Sequence, residues 1–126
     1  MIPIVDEHSL AGLRDAQELG APDVVAETIA IFLADGGLRL DLTRRAVAEA
    51  DAEAIHRLSH AFACSALMLG ALRLAAVCQV LETVGVERRL EDAESELERV
   101  VFEFALAQRS LRRIAAATAA GSRPDA

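Results

Sequence analysis

The chain has 126 residues, 53% of them hydrophobic and 26% charged, with four Phe and neither Tyr nor Trp. That length supports one hydrophobic core, and an alanine-rich, aromatic-poor composition favours helix over sheet. Thirteen basic against twenty acidic residues give a formal charge of −7, the wrong sign for gripping a nucleic-acid backbone or an anionic membrane.

The first predicted element is a short amphipathic helix from about Asp6 to Leu19, stopped by Gly20. Pro22 suits the first turn of a second helix through Val24, Val25, Ile29, Phe32 and Leu33, and Gly36-Gly37 is read as its end. A third helix follows over Leu38 to Ala50, with Leu40, Leu42, Ala46 and Val47 on its apolar face. Asp51 is the expected N-cap of a fourth, whose core stripe reads Ala54, Ile55, Leu58, Ala61, Phe62, Ser65 and Leu69, and Gly70 is expected to end it. A fifth runs through Leu74, Val77, Cys78 and Leu81 to Gly85. A long sixth, from about Val86 or Glu91 to Ala119, uses Leu97, Val100, Val101, Phe104, Leu111 and Ile114.

Short connections make sequential helices antiparallel neighbours. The expected fold is therefore all-α, an antiparallel up-down four-helix bundle with additional short N-terminal helices. It spans residues 1–120, and 121–126 form a flexible polar tail. Polar residues interrupt every apolar run before bilayer length and no basic-then-apolar leader opens the chain, so a cytoplasmic protein is expected. Met1 and the tail point to a free-standing chain. Cys64 and Cys78, with no CxxC pattern, fit reduced thiols better than a disulfide framework.

Chemistry concentrates on the fourth helix. His60 is two residues from Leu58, and at about 100° per residue it points about 200° away from that side chain, toward solvent. The run from His60 through Ser65, Leu69-Gly70-Ala71, Leu74, Cys78 and Leu81-Glu82 resembles the histidine-containing phosphotransfer (HPt) domain family. That family's signature is H-x-L-K-G-S, then L-G-A, then L-x-x-L-C-x-x-L-E, and the histidine, serine, L-G-A, cysteine and final L-E are all in register here. The likeness extends over most of the chain. It takes in the segment from Asp23 to Ile29, Phe32 and Leu33, the entry from Ala50 to Ile55, and the long last helix.

The resemblance implies that His60 accepts a phosphoryl group from a phospho-aspartyl receiver domain and passes it to another response regulator. The implied partners are receiver domains and hybrid histidine kinases, with no nucleic acid and no membrane. It implies a carrier without catalytic turnover. The chain itself needs no cofactor, because the Mg²⁺ and acidic pocket that stabilise the moving group are expected on the receiver. Two positions depart from the signature. Ala63 stands where the family has lysine, and Cys64 where it has glycine. Arg57, one turn before His60, is the nearest cation on that face and the candidate stand-in for the lysine. An apolar docking patch of Ala63, Cys64, Leu67 and Met68 is expected around His60, rimmed by Arg57 and His56.

Other readings use the same residues. His56, His60 and Cys64 have i, i+4 spacings at which neighbours could share a metal ion, but a closed site needs about four ligands and no further His or Cys is evident, so no metal is expected. Cys64 as a nucleophile with His60 as its base lacks an inferable oxyanion hole or cleft. The main rival keeps the fold and drops the chemistry: a phosphorylation-silent adaptor that docks a receiver without carrying phosphate.

Overall fold

The computed structural model describes residues 2–11, 14–15 and 23–121, and among these every regular element is helical. Four helices make an antiparallel up-down bundle: α1 (Val24–Ala48), α2 (Ala52–Met68), α3 (Leu72–Glu87) and α4 (Ala93–Gly121). They close a ring in which α1 packs on α2 and α4, and α3 on the same two. The predicted first helix is represented by a 3₁₀ turn, Glu7–Leu10, capped by the Asp6 carboxylate accepting from the His8 amide at 3.0 Å, with Leu10 fully buried. The rest of that prediction, and Pro22, lie largely outside the described residues, as do residues 122–126 of the tail.

Asp51 caps α2 as expected, its carboxylate accepting from the Ala54 amide at 3.1 Å. Gly70 closes the same helix from a left-handed conformation, φ +72°. The Gly70 amide donates to the Leu67 carbonyl and the Ala71 amide to that of Ala66, the paired bonds that end a helix when a residue turns left-handed. The Gly70 carbonyl then accepts from the Asp6 amide at 2.7 Å, which ties the N-terminal turn to this end of the bundle.

Two other breaks read at glycine, Gly36-Gly37 and Gly85, are not breaks. Gly36-Gly37 lies inside α1, so the predicted second and third helices are one. A Cβ at Gly36 would lie 2.6 Å from the Phe104 ring, so the missing side chain lets α4 set an aromatic against the α1 backbone. Phe104 also meets Phe32 and Phe62 edge-to-face, with ring centroids 6.5 and 5.6 Å away. This core contact outweighs the roughly 1 kcal/mol that each helical glycine costs relative to alanine. Nothing in the structure explains Gly37, whose Cβ position faces open space. On the predicted third segment, Leu38 and Leu42 are exposed and Thr43 is buried instead, its hydroxyl donating to the Arg39 carbonyl at 2.7 Å.

Helix α3 likewise runs past Gly85 to Glu87 and closes on Arg88, left-handed at φ +55°. Gly85 has a second use there. A Cβ on it would lie 2.6 Å from the His56 amide nitrogen and 2.8 Å from the Ala52 carbonyl oxygen, so α2 and α3 touch backbone to backbone. The last helix starts at Ala93, after a 3₁₀ turn at Leu90–Asp92, rather than at Val86 or Glu91. No described helix is long and apolar enough to cross a membrane.

Candidate functional site on the α2–α3 pair

The buried face of α2 is Ala52, Ile55, Ser59, Phe62, Ala63 and Ala66. Of the predicted stripe, Ala54, Leu58, Ala61 and Ser65 are only half-buried, so the helix is rolled toward α3. Small side chains cause the roll. Ala52, Ser59, Ala63 and Ala66 on α2 meet a helix that offers Ala75, Cys78 and Gly85 among its buried residues, and such surfaces let helix axes approach closely.

The roll leaves His60 outside but moves it to the α3 edge, with its side chain 62% exposed. There it meets Glu82, 22 residues on in sequence, whose carboxylate lies 3.0 Å from His60 Nδ1 and is 22% exposed. A carboxylate only accepts, so Nδ1 carries the proton, and the lone pair of the neutral ring is on Nε2, which faces away from Glu82. The same Glu82 oxygen lies 3.6 Å from His56 Nε2, so two histidines one turn apart share one anion. Beyond Nε2 lies the Cys64 thiol, Sγ 3.7 Å from it.

Glu82 is the residue that sequence reasoning passed over. It is the last letter of the L-x-x-L-C-x-x-L-E register, but nothing local gave it a role, and only the α2–α3 pairing brings it to His60.

Of the expected patch, Cys64, Leu67 and Met68 are exposed on the ridge that carries His60, Leu67 at 45% and Met68 at 76%. Ala63 is not part of it. At 3% exposure it is buried in the α2–α3 seam and offers no surface to a partner, a consequence of the same helix roll. Arg57 and His56 are exposed on the N-terminal side of His60, as a rim requires. Arg57 has no hydrogen bond or ion pair to another described residue, which leaves its guanidinium free to swing. Cys78 is a packing residue in the core, where burial pushes its thiol up to about 12. Among the described residues no group of three or more His, Cys, Asp or Glu side chains is arranged to hold a metal ion.

The Hpt domain family model matches residues 27–119, most of the chain and all of the His60–Glu82 region. The chain belongs to the Hpt domain family. As an Hpt domain it is a histidine phosphotransfer protein of phosphorelay signalling, a class of phosphocarriers that work with receiver domains or kinases. The fold agrees with that of histidine-containing phosphotransfer protein B from Pseudomonas aeruginosa PAO1. The two superpose with a TM-score of 0.81 at 26% identity, over 91% of this chain and 96% of that one. No curated protein matches it.

Proposed function

We propose that Nε2 of His60 accepts a phosphoryl group from the phospho-aspartate of a receiver domain and passes it to the receiver of a second response regulator. The observation that carries this reading is the 3.0 Å contact between Glu82 and His60 Nδ1, which directs the ring's lone pair outward on an exposed ridge. The Nε2 lone pair attacks phosphorus, the N–P bond forms as the acyl P–O bond breaks, and the aspartate carboxylate leaves. The ring gains positive charge in that step, and the Glu82 carboxylate stabilises it through Nδ1–H. Arg57 takes the part of the missing lysine by reaching phosphoryl oxygens from the preceding turn. Mg²⁺ is supplied by the receiver, and the bundle acts as a cytoplasmic carrier without turnover of its own.

Cys64, Leu67 and Met68 form the apolar part of the docking ridge, with Arg57 and His56 at its rim. The silent-adaptor reading is favoured by one observation, the thiol against Nε2. Incubation with phosphorylated receiver domain decides between them. A carrier acquires acid-labile, alkali-stable phosphate that His60→Gln abolishes and Arg57→Ala reduces. An adaptor binds the receiver and acquires none, and label that survives His60→Gln would remove His60 as the acceptor.

A further inference from the structure

Phosphorus must approach Nε2 along its lone pair, and in this structure that direction is occupied. Cys64 Sγ sits 3.7 Å from Nε2, one helical turn on, with its S–H able to donate into the same lone pair. The imidazole has little freedom to turn away, because Glu82 holds Nδ1 from the α3 side. The exposed thiol has that freedom, since rotation about its Cα–Cβ bond carries sulfur to another staggered position.

We propose that Cys64 is a gate on the phosphoryl-accepting nitrogen: transfer waits for its side chain to swing off Nε2, and a covalent adduct on its sulfur holds the gate shut. The proposal rests on His60 being the acceptor. It also gives a consequence to the cysteine that stands where the signature has glycine. The site keeps its nucleophile and gains a neighbour that competes for the same lone pair and can be enlarged by soft electrophiles.

Iodoacetamide supplies the probe. Sulfur attacks its methylene carbon, the C–S bond forms as the C–I bond breaks, iodide leaves and the thiol proton passes to solvent. Cys78 is buried and stays protonated near neutral pH, so the adduct forms at Cys64, as intact mass and peptide mapping will verify.

Phosphate uptake from a phosphorylated receiver is then timed for wild type and Cys64→Ala, each with and without iodoacetamide. Alanine is compatible with the helix, and circular dichroism checks that the variant is folded. Untreated Cys64→Ala should take up phosphate about fivefold faster than wild type, as expected for loss of one weak hydrogen bond and its steric bulk. At saturating receiver, where weaker docking no longer limits the rate, alkylation should slow wild type at least tenfold and leave Cys64→Ala unchanged. The gate is overturned if alkylated wild type keeps the untreated rate, or if Cys64→Ala is no faster. If neither protein takes up phosphate at all, the acceptor assignment fails and the gate falls with it. Uptake by Cys64→Ala alone would show a gate that is fully shut.

Discussion

Both inter-helix contacts that use a glycine bring a neighbour unusually close, but they differ in what that neighbour is. At Gly36 it is the ring of Phe104, the far end of a side chain in an aromatic cluster. At Gly85 it is the backbone of α2, at His56 and Ala52. The α1–α4 contact is thus core packing, tolerant within limits. The α2–α3 contact sets the separation of two helix axes, and that separation fixes the distance from Glu82 to His60. His60 stands on the less adjustable of these two contacts.

This contrast predicts its own largest effect. Gly85→Ala has no flexible atom to push aside and should lose about 3 kcal/mol in chemical denaturation, with slower phosphate uptake by the fraction that remains folded. Stability like wild type would show that the seam opens easily.

The seam also has a pH signature. All thirteen basic residues are Arg and there is no Tyr, so between pH 9 and 12 no Lys or Tyr titrates alongside the buried Cys78 thiol. Burial raises the folded Cys78 thiol from 9.0 to about 12. Its folded pKa is above its unfolded one, so the unfolded chain releases the proton first. The contribution is fully present below about pH 9 and is lost as pH rises toward 12, approaching 1.4 kcal/mol per pH unit. Cys78→Ala should flatten that slope in a series of denaturation curves. A slope unchanged by the substitution would place its origin elsewhere.

Smaller effects separate positioning from packing on the same pair. Glu82→Ala should slow uptake about tenfold, the scale of one charge-assisted hydrogen bond at a partly exposed site. Glu82→Gln, which still accepts through its amide oxygen, should restore part of the rate, and ¹⁵N shifts of His60 should report loss of the Nδ1–H tautomer in the alanine variant only. Leu67→Asp, on the exposed ridge, should weaken receiver binding about fivefold to tenfold in titration calorimetry with little change in stability. Gly36→Ala is the smallest. The alanine gain in helix propensity offsets displacement of the Phe104 ring, and the net change should stay within about 1 kcal/mol. If Gly36→Ala were as damaging as Gly85→Ala, the two contacts would not differ in kind.

Local signals were legible in the sequence where one physical meaning was available. Asp51 at the start of α2, Gly70 at its end and the outward direction of His60 all followed from capping and periodicity. Gly36 and Gly85 misled because a glycine that ends a helix and one that admits a neighbour look alike until the neighbour is known. The buried face of α2 came out rotated because Ala52, Ser59, Ala63 and Ala66 carry almost no hydrophobic contrast in an alanine-rich chain. That error placed Ala63 on the docking patch. Glu82 was beyond periodicity altogether, since its contact with His60 depends on the register of two helices packed across a turn.

The most direct measurement is of the phosphorylated atom itself. Wild-type chain with ¹⁵N-labelled histidine, phosphorylated by a receiver domain, should show one phosphohistidine in ¹H–¹⁵N and ³¹P spectra. The account predicts His60 bonded to phosphorus through Nε2, with Nδ1 still protonated against Glu82. Phosphate on Nδ1, on His56, or on no histidine would contradict it.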